Sequence, residues 1–177
     1  MSKIGCEHMC FKPEDANAGI ELAGLVEANL TLNTASGELY ADNIRWEHDE
    51  QFVSGSLASE IADLGLDKQA TLFGHTYTAN TKKLEKNAND SAPYGVLGFV
   101  RTLSVRGVGK VYQAVVFNRA KAAEGDDSVQ AKGSSIEYQT NPVTFGIDAD
   151  DNGKWNETTE FTTKAEAITA VNTACSI

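Results

Sequence analysis

Two apolar runs meet at a glycine turn in Tyr94-Gly-Val-Leu-Gly-Phe-Val-Arg-Thr-Leu-Ser-Val105, Arg106-Gly-Val-Gly109, Lys110-Val-Tyr-Gln-Ala-Val-Val-Phe-Asn118. Runs rich in β-branched and aromatic residues on either side of such a turn read as antiparallel strands. In the return run, Val111, Gln113, Val115 and Phe117 alternate with Tyr112, Ala114 and Val116. Both sets are largely apolar, so this strand is expected to be covered on both faces and to lie centrally in a sheet.

Upstream, the period changes at Leu66 to Phe73, where Leu66, Ala70 and Phe73 share one helical face, Asp67 opens the first turn and Gly74 supplies a stop. The segment before it reads as strand: a mixed apolar run from Gly19 to Leu32, a turn at Thr34-Ala-Ser-Gly37, strand from Leu39 to Trp46, and alternation again from Phe52 to Asp63. Polar Glu47 to Gln51 is expected at the tip of a long projecting hairpin. Lys82 to Asp90 and Ala122 to Gly133 read as loop, and Ser134 to Thr140 and Val143 to Ile147 as strand interrupted by Pro142. Asp150-Asp-Asn-Gly153 turns into a strand from Trp155 to Phe161. A final helix runs from Thr163 to Ala174, with Glu166 completing a capping box and Ile168 and Val171 facing inward. The expected fold is mainly β, a β-sandwich or partly closed barrel with a short internal helix and a C-terminal helix. Residues 1–18 are expected as an N-terminal arm, and 19–177 as one domain without a second.

The 177 residues suit one domain with a self-sufficient core. No apolar run approaches the roughly 20 residues of a membrane helix, and the N-terminus lacks a secretory signal, so a cytosolic product is expected. The net charge of −10 argues against a DNA-coating protein. It is unevenly spread: from Glu7 to Asp67, 13 acids face two bases, a net of −11, while from Arg101 to Lys132 six bases face three acids, a net of +3. Such asymmetry suits head-to-tail contact between copies, and equally suits two solvated faces.

No nucleophile elbow, His-Glu-x-x-His or Walker loop is present, and Gly107-Val-Gly-Lys110 is too short for the last, so no enzyme is expected. His48 belongs to the charged tip. Cys6-Glu-His8-Met-Cys10 and the distant Cys175 are expected as free thiols, the alternative being a bond or metal joining the termini or neighbouring subunits. Asp148, Asp150 and Asn152, followed by Gly153, match the first half of a calcium loop. Lys154 would lend its carbonyl, but Thr159 replaces the bidentate Glu, with Glu157 and Glu160 nearby. The competing reading is a plain turn at Asn152-Gly153, so no cofactor is required and calcium is the single candidate.

Gly37-Glu-Leu-Tyr-Ala-Asp42, the acidic hairpin, and Asp63-Leu-Gly-Leu-Asp67 leading to Leu72-Phe-Gly-His75 resemble the major tail proteins of long-tailed, non-contractile phages. So do Ala92-Pro-Tyr-Gly-Val-Leu-Gly-Phe-Val-Arg101, Gly109 to Phe117, Lys132 to Thr140, and the Gly153-Lys-Trp155 ending with its helix. The resemblance spans roughly 20–172; the Cys-rich N-terminus and the acidic 148–152 turn depart from it. It implies a virion structural protein: a tail-tube-type sandwich whose hexameric rings stack into a tube that conducts DNA into the host. The implied partners are further copies of itself, the tape measure protein, and the tail terminator and distal tail proteins. DNA would pass through the lumen without specific binding, and assembly would occur in the host cytoplasm. Contractile-tail and secretion tubes share that fold and are the alternative, followed by a calcium-dependent binding or adhesion module. For contacts between copies, the candidates are Trp46, Glu47, His48, Asp49, Glu50 and Phe52. Arg101, Arg106, Lys110, Arg119 and Lys121 are candidates for the complementary surface.

Overall fold

A computed structural model describes residues 1–126 and 139–177. In chain order the elements are β1 (Ser2–Pro13), β2 (Ile20–Leu22), β3 (Leu25–Ala41), β4 (Ile44–Ile61), α1 (Leu66–Phe73), β5 (Thr76–Thr78), β6 (Lys83–Glu85), β7 (Tyr94–Val105), β8 (Gly109–Glu124), β9 (Asn141–Asp148), β10 (Asn156–Phe161) and α2 (Lys164–Cys175). The fold is mainly β, with one short internal helix and one C-terminal helix, and its sheets do not close into a barrel. The strand expected from Ser134 lies largely outside the described residues.

The main sheet is antiparallel in the order β2-β1-β7-β8-β9-β4-β3, with β5 and β6 forming a separate pair. β8 is central, as its two apolar faces predict. β7 flanks one side, while the other is shared by β10 beside Tyr112–Phe117 and β9 beside Arg119–Glu124. A bulge between Phe117 and Ala120 moves the inward set from Val111, Val115 and Phe117 to Ala120 and Ala122.

The sheet curls around a core in which Met9 and Phe11 of β1 pack with Leu57 and Ile61 of β4, Phe99 of β7, Phe117 of β8 and Phe145 of β9. This curl brings β3 beside β1, where the Cys6 thiol reaches the Val26 carbonyl at 3.7 Å. On the opposite face, α2 buries Ala167, Val171 and Cys175, its i, i+4, i+8 stripe, against Val100 and Ala114. Gly98 lets the helix approach, since a Cβ there would stand 3.0 Å from Val171. The Thr163 hydroxyl accepts from the Glu166 amide, so the expected cap forms. α1 has its expected bounds, and the left-handed Gly74 (φ 73°) donates its N–H to Ala70.

Four expectations are corrected. Residues 2–13 of the expected arm form β1, which pairs with β7 along its length and buries Met9, Cys10 and Phe11 completely. The apolar positions escape a simple alternation because His8, with φ 52°, sits at a bulge. That bulge reverses the faces, so Cys6 lies against the inner core and Cys10 against α2. Cys10 and Cys175 are joined by a disulfide across a sequence separation of 165, so among the three cysteines Cys6 alone is free. Thr34-Ala-Ser-Gly37 is not a turn but runs through β3, and Glu47 to Gln51 is not a tip but runs through β4. The hairpin turns at Asp42-Asn43, whose φ of 52° and 59° suit a two-residue type I′ connection. Finally, part of the expected loop from Lys82 pairs as β6 with β5.

Candidate functional site

β4 pairs with β9 only from Gly55 to Ile61. Beyond that point, residues 33–41 and 44–54 pair only with each other among the described residues. At strand rise this two-stranded ribbon reaches about 30 Å past the sheet. Its root is fixed by aromatic stacking: the Phe52 ring lies 4.4 Å from that of Trp155 at an interplanar angle of 9°, and Trp155 stacks in turn on buried Phe117. Phe52 is therefore a positioning residue within the subunit.

Outward from that root the ribbon is both apolar and acidic. Leu39, Tyr40, Ile44, Trp46 and Val53 are all more than half exposed, Trp46 at 65%. Leu39 pairs with Glu47 and Tyr40 with Arg45, leaving Trp46 as the extra residue of a bulge; Val53 is the extra residue of another. Bulges re-aim side chains, so the exposed Trp46 follows from local backbone geometry. Residues 33–54 hold five acids (Glu38, Asp42, Glu47, Asp49 and Glu50) against Arg45, a net of −4. Glu38 gathers Arg45 at 3.1 Å, His48 at 3.7 Å and the Tyr40 hydroxyl at 2.7 Å, and Glu50 accepts from Thr34 at 2.6 Å. Neither Glu47 nor Asp49 enters an ion pair among the described residues.

The basic candidates do not form one surface. Arg106 and Lys110 flank the β7–β8 turn. Arg101, three pairs further in than Lys110, donates to Gln113 through Nε at 3.2 Å and Nη2 at 2.7 Å. Arg119 and Lys121 stand about 30 Å away along β8. They pack over the Tyr94 ring, at 4.2 and 5.2 Å from its centroid.

At the seam between β1 and β3 lies a half-open cavity of about 480 Å³. Its walls include Leu30, Leu32, Leu57, Phe99 and Phe117, its mouth carries Lys3, Glu27 and Arg101, and Cys6 lines one side. Burial first, then Glu27 and Glu7, push the Cys6 thiol above its ordinary range. Sequence reading missed this site because its walls come from strands far apart in the chain; the half-exposed Leu30 and Leu32 are its trace.

The 148–153 segment is built as a turn. The Asp150 carboxylate accepts from the Asn152 and Lys154 amides at 2.9 and 2.8 Å and from Asn118 at 3.2 Å. The Lys154 backbone N–H foremost, then that of Asn152, hold its carboxyl below the ordinary value. The Lys154 carbonyl is taken by the Asp150 amide at 2.9 Å. These bonds occupy donors that a calcium loop would turn toward its ion. No group of three metal-ligating side chains occurs among the described residues.

One further polar cluster has no sequence motif. His75 Nδ1 meets Asp90 at 2.8 Å and its Nε2 faces Glu124 at 3.5 Å, while Lys86 pairs with Glu124. The Asn87 amide first, then His75, hold the Asp90 carboxyl below its ordinary value; Lys86 is the main cause for Glu124. The cluster ties the segment after α1 to the end of β8.

No protein-family model matches the sequence, and no curated protein matches it.

Proposed function

We propose that this chain is a tube-forming structural protein of the kind found in non-contractile phage tails, working by self-assembly rather than catalysis. The observation that carries the reading is the ribbon of residues 33–54. An isolated two-stranded hairpin is marginal in water, and this one leaves Leu39, Tyr40, Ile44 and Trp46 exposed. Exposed Trp and Tyr side chains such as Trp46 and Tyr40 are the usual anchors of a protein interface. Two further features agree: the outer edge of β3 is unpaired among the described residues, which invites a neighbouring strand, and the sequence resemblance spans the same elements. Six copies in a ring would carry roughly −60, and a lumen of that sign repels phosphate, so DNA slides without sticking.

The test is excision of the ribbon along its own register. Ala35 and Gln51 are paired, so replacing residues 36–50 with an Asn-Gly turn between them keeps the Phe52–Trp155 stack intact. The shortened protein is expected to keep its fold and to remain monomeric where the full chain forms rings or tubes in electron micrographs. Tubes of normal length from the shortened protein would refute the assignment.

A further inference from the structure

We infer that the cavity between β1 and β3 is the socket for Trp46 of a second copy, so that each hairpin is gripped by the seam of the next subunit. This rests on the tube reading above and adds to it a specific pair of surfaces. At about 480 Å³ the cavity falls in the range that accepts a sizeable apolar group. It cuts into the core, since Leu57 and Phe117 line it and are otherwise fully buried. Atoms facing a void forfeit dispersion contacts, which an inserted indole restores.

Charge complements shape. The mouth carries Lys3 and Arg101 against Glu27, a net of +1. Trp46 sits between Arg45 and Glu47 on a ribbon whose net charge is −4. The chain cannot fill its own socket: Trp46 lies beside Tyr40, eight residues along β3 from the cavity-lining Leu32, about 27 Å at strand rise. Knob and socket therefore occupy different places on one molecule. Their union is heterologous, the type of contact that closes into rings or continues as a stack.

Cys6 reports on the socket, because it lines the cavity and is the free thiol of the three cysteines. In native protein, maleimide labelling of Cys6 at alkaline pH is expected to slow at least about tenfold on assembly, as a filled pocket excludes the reagent. In a second measurement, Glu47→Cys, which keeps the indole, is oxidised with copper–phenanthroline. A ladder of linked copies that disappears when Cys6→Ser is added places the hairpin in the seam. Assemblies in which Cys6 labels at the monomer rate, with no Cys6-dependent ladder, would overturn the socket and leave the tube reading intact. Native protein that never assembles would overturn both.

Discussion

Single residues fix where the hairpin goes and how the body resists acid. Trp155 couples the ribbon root to the core through its stacks on Phe52 and Phe117. Trp155→Ala is expected to cost about 2 kcal/mol, less than a fully buried aromatic because this stack is partly exposed, and to speed proteolysis between residues 33 and 54. Unchanged cleavage would show that the ribbon is held by something else. Asp90 and Asp150 have carboxyls held below their ordinary values by backbone N–H groups. A depressed folded-state pKa gives stability that is present above the unfolded value, near about 4, and is lost as pH falls through the folded one. Thermal unfolding from pH 5 to 2 should therefore show a melting temperature that drops below about pH 4, with a flatter decline in Asp90→Asn/Asp150→Asn. Parallel declines would mean other carboxylates govern the acid limb. Of these residues, Asp150 could be read from its Asn-Gly context. The Asp90–His75 pair could not, because fifteen residues of chain separate two groups that only the docking of β5 and β6 brings together.

Among elements, local signals were legible and long-range ones were not. α1 follows from its i, i+4 spacing and Gly74, and the α2 cap from Thr163 and Glu166, signals that each lie within a few residues of the helix they mark. β7 and β8 follow from their continuous apolar runs. The charged hairpin is legible in the sequence, but the position of its turn is not. Thr34 to Gly37 and Glu47 to Gln51 look like turn and tip by composition, yet their polarity reflects two solvated faces of a free ribbon. β1 was hidden because a bulge at His8 breaks its alternation. The disulfide between β1 and α2 belongs to the same scale, since pairing across 165 residues leaves no local trace. Cys10→Ala/Cys175→Ala is expected to cost about 3 kcal/mol, a melting-temperature drop near 10 °C for a chain of this size. His8–Asn172, Lys12–Ser176 and Glu7–Lys164 contacts should keep α2 docked, so circular dichroism at 25 °C should match the native spectrum. A large loss of helical signal would mean that the covalent link alone holds the helix.

For the whole molecule, the uneven charge gains a physical location. The projecting ribbon carries a net of −4, and the basic candidates divide between the seam, the β7–β8 turn and Tyr94. Attraction between unlike ends of successive copies accelerates association and is screened within about 8–10 Å at physiological salt. Light scattering should show assembly slowing several-fold between low and 0.5 M salt, while the apolar anchoring of Trp46 keeps formed assemblies intact; rates indifferent to salt would remove charge from the account. Self-assembly through the hairpin is decided by electron microscopy of the purified full chain across a concentration series. Hollow rings and stacked tubes, absent from the ribbon-excised protein under the same conditions, are the predicted result. A single monomeric species at every concentration and ionic strength would contradict it.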